Sequence, residues 1–324
     1  MASIRDVAKH AGVSVATVSR VLNDKGYVHE DTRKKVESSI AELNYRPNEV
    51  ARSLFNKQSK TLGLILPDIM NPFFPELARA IEDTATKLGY TVILCNTDEN
   101  EEKAKRYVDV LLQKYVDGII IASNTIQEKT IRELPVPVVC IDREISKDIP
   151  TIVVDNKKGA QMATRFLKEK GRRKIAHIRG PFDLLNANER CEGYRDVVSG
   201  EEWFTESYIV NGNYRMDTAT EVALELLQKH PDIDGIFAAS DTMAIGAMKA
   251  AYEHGLKIPE DISIIGFDGI ALAQASIPEL TTIEQPLYEL GQKAAKMLIK
   301  LIKGQTVKQT FYQFDVQLVE RDST

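Results

Sequence analysis

One eight-residue segment of this chain is echoed further on. Val116-Asp117-Gly118-Ile119-Ile120-Ile121-Ala122-Ser123 returns as Ile233-Asp234-Gly235-Ile236-Phe237-Ala238-Ala239-Ser240, and Cys140-Ile141-Asp142-Arg143 returns as Gly266-Phe267-Asp268-Gly269. The copies lie 117 residues apart (Gly118 to Gly235) and 126 apart (Asp142 to Asp268). Internal duplication of this kind predicts two similar lobes. Apolar runs of the same type, Leu62-Gly63-Leu64-Ile65-Leu66, Thr91-Val92-Ile93-Leu94-Cys95, Val136-Pro137-Val138-Val139-Cys140-Ile141 and Ile152-Val153-Val154, alternate with helical stretches such as 76–88. Near-continuous apolar strands between helices mark α/β architecture with parallel sheets covered on both faces. Ligands of such sheets sit beyond the carboxyl ends of the strands. Two facing lobes would therefore make a cleft there, with an Asp at the end of a strand on each side.

The first 60 residues follow another pattern. Ser3-Ile4-Arg5-Asp6 reads as a capping box, Val7, Ala8 and Ala11 give one apolar face, and Gly12 stops the turn. Ser14 caps a second helix through Asn23, and the Gly-containing joint between the two is that of a helix-turn-helix. A third helix carries Val36, Ile40 and Leu43 at i, i+4, i+7 and ends before Pro47. This block holds 11 Lys and Arg against 7 Asp and Glu, which leaves 31 against 40 for the remainder. A basic head on an acidic body fits a head that meets a polyanion, and equally the charge variation of a short window.

Other features exclude function classes. Cys95, Cys140 and Cys191 are odd in number and have no CxxC spacing, which predicts buried free thiols in a reducing cytosol. The N-terminus lacks an apolar signal region, and no apolar run approaches the roughly 18 residues of a membrane span, so a cytoplasmic protein with no membrane partner is expected. Phosphate-loop, GxSxG and HExxH motifs are absent, and the five histidines fall in no ligand spacing. No enzyme activity, metal or cofactor is expected.

Ile4-Arg5-Asp6-Val7-Ala8, the run from Ala11-Gly12-Val13-Ser14-Val15-Ala16-Thr17-Val18 through Ser19-Arg20-Val21-Leu22-Asn23, and Tyr45-Arg46-Pro47-Asn48-Glu49-Val50-Ala51-Arg52-Ser53-Leu54 resemble the DNA-binding head of the lactose/galactose repressor family, ribose repressors above all. The remainder resembles the periplasmic sugar-binding body that these repressors carry. The resemblance implies a head at 1–46, a hinge at 47–60 and an effector-binding and dimerisation body at 61–324, whose N-lobe spans about 61–155 and 286–315 and whose C-lobe spans about 156–285 and 316–324. It also implies a homodimeric repressor on a pseudo-palindromic operator. The absence of a leucine heptad at 316–324 argues for a dimer without a coiled-coil tail. Val15 and Ala16, small residues opening the second helix, suit apolar contact with thymine methyls, and Arg20 reaches a guanine edge or a phosphate. Ser14, Thr17, Ser19, Asn23, His29 and Thr32 are assigned to phosphates. From 48 to 54 the residues are too few for an independent helix. The family orders this segment on DNA, with Leu54 wedged in the minor groove beside Asn48, Ala51 and Arg52.

In the body, Asn71, Phe73 and Phe74 match a stretch whose phenylalanines stack on sugar faces, although two adjacent aromatics fit a core as well. Asp142, Arg143, Arg190, Asp268 and Gln285 match its polar contacts, and Tyr214 a flanking aromatic. A structural salt-bridge network is the competing reading of the four charges. Ser240 departs from the pattern, since ribose binders have Asn there, and this leaves sucrose, fructose or a phosphocarrier protein as alternatives to ribose. The implied mechanism is a population shift in which sugar closes the lobes and separates the paired hinges.

Overall fold

The computed structural model describes residues 2–24, 26–45, 58–143, 145–146 and 148–324. The chain divides into two compact units, Met1–Ser59 and Lys60–Thr324. In the first, helices Ile4–Ala11, Val15–Asn23 and Glu30–Glu42 enclose Val7, Ala8, Val18, Val21 and Val36. The Ser3 hydroxyl accepts from the Asp6 N–H, and the Asp6 carboxylate accepts from the Ser3 N–H, completing the expected capping box. Gly12 closes that helix at φ +66°, a conformation costly for a residue with a β-carbon. Ser14 caps the second helix through the Thr17 N–H. His10 ties the first helix to the third, with Nδ1 3.0 Å from the Ser39 hydroxyl.

The second unit contains two six-stranded sheets. The first has the order β11-β5-β4-β3-β1-β2, from Thr61–Leu66 (β1), Thr91–Asn96 (β2), Gly118–Ile121 (β3), Val138–Ile141 (β4), Thr151–Val154 (β5) and Phe311–Phe314 (β11). The second has the order β12-β10-β9-β8-β6-β7, from Ile175–Arg179 (β6), Ile209–Asn211 (β7), Gly235–Ala238 (β8), Ser263–Asp268 (β9), Thr281–Glu284 (β10) and Gln317–Val319 (β12). All pairings are parallel except β10 with β12. The echoed segments occupy equivalent places, at β3 and β8 and at the ends of β4 and β9. Strand β4 begins two residues later than the apolar run suggested, after Pro137, which has no N–H to donate to a ladder.

Helix Leu287–Ile302 returns from the second sheet to pack on Phe73–Lys87, where Gly291 admits close approach: a β-carbon there would lie 2.7 Å from Ala80 Cβ. Helix Phe73–Lys87 starts three residues earlier than the 76–88 stretch read from the sequence, directly after Pro72, whose ring holds φ at −58°, already helical. Cys95, Cys140 and Cys191 are buried and free. Burial pushes the Cys95 thiol up to about 11 and Cys140 to about 12, so neither is a thiolate at neutral pH.

His177 on β6 is fully buried, stacked between Tyr194 (5.0 Å between centroids) and Phe237 (4.8 Å). Its Nδ1 lies 2.9 Å from the Phe237 carbonyl, which assigns the proton to Nδ1, while Nε2 is buried with no partner. Burial therefore pushes its pKa down to about 3, against the opposing effect of that backbone bond. Between that value and the ordinary pKa near 6.5 the unfolded chain binds a proton that the folded chain refuses. This stability is present above about pH 6.5 and is lost as pH falls, by about 1.4 kcal/mol per unit. Urea unfolding at pH 7.5, 6 and 5 is expected to show this slope in the body, and His177→Gln is expected to remove it.

Candidate functional site

Two surfaces carry the residues singled out in the sequence. In the head, Val15 and Ala16 open helix Val15–Asn23 and are exposed, as is Arg20, whereas Val18 and Val21 of the same helix are buried. The 3.6-residue period thus divides one helix into an outward and an inward face. Ser14 and Thr17 hydroxyls lie 2.9 Å apart at the helix start, and Asn23 Nδ2 donates to the Ser19 carbonyl. His29 caps the third helix, and Thr32 lies in its first turn. Asn48, Ala51, Arg52 and Leu54 lie outside the described residues.

In the body, strand ends bring charged residues together. Arg190, in helix Leu185–Val198, is 2% exposed. Its Nη1 donates to Asp268 Oδ1 (3.2 Å) and to the Ala239 carbonyl (2.6 Å), its Nε donates to Asn156 Oδ1 (2.9 Å), and its guanidinium lies 3.8 Å from the centre of the Phe267 ring. Gln285 Nε2 donates to the same Asp268 oxygen at 2.8 Å. Asp142, just past β4, accepts from Asn186 Nδ2 at 2.6 Å, a bond between the two lobes, and the Tyr214 hydroxyl donates to Asn186 Oδ1 at 3.3 Å. Burial raises the Asp142 carboxyl, opposed by Arg190 and the Asn186 bond, and raises Asp268 to about 7, again against Arg190. For Arg190 burial acts against the charge, but Tyr214, Asp268 and Asp142 outweigh it and the net direction is upward. The guanidinium stays charged between two carboxyls that burial raises, Asp268 to about 7. Such a cluster suits hydroxyl groups, which both donate to carboxylates and accept from a guanidinium.

Residues 59–318 match the family described as periplasmic binding proteins and sugar binding domain of LacI family, and residues 3–48 match bacterial regulatory proteins, lacI family. The chain belongs to the LacI family of bacterial regulatory proteins. It is 50% identical to the ribose operon repressor of Halalkalibacterium halodurans, over 100% of this chain and 97% of that one. Among solved structures, it is similar to the lac repressor dimer bound to operator and the anti-inducer ONPF (TM-score 0.89, 30% identity, 99% of this chain and 98% of that one). It is also similar to a LacI family transcriptional regulator from Enterococcus faecium with bound ribose (TM-score 0.73, 31% identity, 82% and 98%). As a LacI-family member, the protein is a DNA-binding transcription regulator and not an enzyme.

Six of the residues singled out in this LacI-family chain also have partners within the protein. Arg143 Nη1 donates to the carbonyls of Ser123 (3.1 Å) and Ile126 (2.8 Å), so part of its guanidinium clamps a neighbouring loop. Phe73 is buried in the core, with the partly buried Phe74 set edge-to-face against it at 5.0 Å. Asn71 Oδ1 accepts from the Phe73 N–H two residues on, and Ser240, 1% exposed, caps helix Asp241–Glu253 through the Met243 N–H. Tyr214 packs on Gly180, where a β-carbon would lie 2.5 Å from the ring. Asn156 and Asn186 were not singled out from the sequence. Asn156 follows the echoed strand system at the crossover between lobes, and Asn186 lies one helical turn before Arg190, the i, i−4 position that faces the same way. A cavity of about 110 Å³ beside the cluster is lined by Asp142, Asn156, Asn186, Glu189 and Gln313 among others. Among the described residues no group of His, Cys, Asp and Glu could hold a metal ion, and no helix is long and apolar enough to cross a membrane.

Proposed function

We propose that this protein represses a sugar-utilisation operon, binding a pseudo-palindromic operator as a homodimer in the cytoplasm, and that ribose releases it. The observation that carries the sugar reading is the group of buried Arg190, Asp268 and Gln285 with the half-buried Asp142, drawn from both lobes and rich in both donors and acceptors. The ribose operon repressor that is 50% identical over the full chain favours ribose among sugars. The reading divides the chain into head (1–46), hinge (47–60) and body (61–324), and assigns operator contacts to Ser14, Val15, Ala16, Thr17, Ser19, Arg20, Asn23, His29 and Thr32, with Asn48, Ala51, Arg52 and Leu54 in the minor groove. Effector contacts fall to Asp142, Arg190, Tyr214, Asp268 and Gln285, with Phe74, Arg143 and Ser240 at the margins. Ribose favours one arrangement of the lobes and the operator favours another, so each weakens the other by the same factor.

Titrating ribose, fructose and sucrose into the full-length protein on operator DNA, followed by fluorescence anisotropy, tests this reading. Release by ribose at concentrations where the other two are inactive is the expected result. Ribose that binds by calorimetry but leaves operator affinity unchanged would falsify the induction step. Binding of fructose or sucrose in its place would move the assignment to another sugar.

A further inference from the structure

Asp241 opens helix Asp241–Glu253 and is 0% exposed. Its carboxylate reaches out of its own helix. Oδ2 accepts from the N–H groups of Gly269 (2.8 Å) and Ile270 (2.9 Å), and Oδ1 accepts from the Thr282 hydroxyl on β10. The segment it holds is the turn that leaves β9, whose last residue Asp268 has φ +122° and is followed by Gly269 at φ +79°. An Asp in that region of backbone space is strained and persists only when its surroundings fix it. Gly269 lies close against β10, where an added β-carbon would meet Glu284 Cγ at 2.5 Å. Gly266 is equally constrained, as its β-carbon would stand 2.2 Å from Asp241 Oδ1. Without Asp241, the N–H of Ile270, itself 1% exposed, would be buried with no acceptor.

We infer that Asp241 is a positioning residue for the effector site: by anchoring the strained 268–270 turn it aims the Asp268 carboxylate at Arg190 and Gln285 without itself facing the cleft. The assignment rests on the sugar-binding reading above. The anchor is costly, because two buried carboxyls stand near one another; burial first and then Asp268 hold the Asp241 carboxyl well above its usual range. Three donors on one carboxylate offset this. The strength of the arrangement is geometric: one side chain satisfies two consecutive backbone donors and a hydroxyl from a third element.

The test uses the full-length protein with Asp241→Ala and Asp241→Asn. Hydrogen–deuterium exchange of the 266–271 amides, calorimetry with ribose and sugar-free operator affinity are measured on each. In the Ala variant the turn amides are expected to exchange about tenfold faster or more and ribose to bind about tenfold more weakly or worse, with operator affinity changed by less than about twofold. Asn retains an acceptor for both N–H groups and a donor for Thr282, and is expected to restore both quantities to within about threefold of wild type. An Ala variant with unchanged ribose affinity, or with unchanged exchange at 269 and 270, overturns the inference. If Ala does not fold, Thr282→Val carries the test, with about threefold weaker ribose binding expected and unchanged binding decisive against it. Failure of the wild type to bind ribose, fructose or sucrose would instead overturn the sugar reading, and the exchange measurement would still decide whether Asp241 holds the turn.

Discussion

Arg190→Ala is expected to abolish the response to the effector and to destabilise the body by about 3–5 kcal/mol, the range for breaking a buried ion pair from one side. The guanidinium joins Asp268, the Ala239 carbonyl and Asn156 and covers the Phe267 ring, and almost none of it reaches solvent. Its removal leaves Asp268 buried beside Asp142 and Asp241 with no cation, so the Asp268 carboxyl will hold its proton at neutral pH. A neutral acid accepts fewer hydrogen bonds from a sugar and turns one accepting oxygen into a donor. Calorimetry should therefore show no ribose binding at neutral pH, and urea unfolding should show the lower stability. Asp268→Asn in the same chain removes the stranded carboxyl, and the double variant is expected to recover part of the loss. A double-mutant cycle that is additive within about 0.5 kcal/mol would show that the two side chains act independently.

Val18→Asp is expected to remove specific operator binding and leave the effector site intact. Val18 is 0% exposed, one of five buried residues at the centre of the head. A domain of about 60 residues has only a few kcal/mol of stability, and an unpaired carboxyl in its core costs several. The head should unfold. The body is a separate compact unit from Lys60 onward, so its ribose affinity should stay within about twofold of wild type. Val15→Ala, on the exposed face of the same helix, should by contrast leave the head folded and change base preference. Circular dichroism melting and operator titration with altered half-sites distinguish the two effects. Retained specific binding in Val18→Asp would show that this core does not support the operator surface.

Elements whose signal is local were legible before any coordinates. Ser3 with Asp6, Gly12 and Ser14 marked their helix ends because a cap involves only residues within three or four positions. The apolar runs marked strands of parallel sheets because a strand buried on both faces is mostly apolar on each. The echo of β3 in β8 gave two lobes, and the acids at the ends of β4 and β9 followed from the same repeat. Side-chain engagement was less legible. Arg143 matched a polar sugar contact beside Asp142, and its Nη1 also donates to carbonyls 17 and 20 positions earlier.

The sequence by itself determined the class of fold, the inward and outward faces of the helix Val15–Asn23 and the residue types gathered at the strand ends. Those depend on periodicity and on local hydrogen bonds. Only the tertiary structure decided which partner each polar group takes. Asn186 meets Asp142 across 44 positions, Arg190 meets Asp268 across 78, and Asp241 meets the 269–270 turn across 28 and 29. A buried polar group must find a partner, but nothing in its neighbours along the chain says which of several distant strands will bring one within 3 Å.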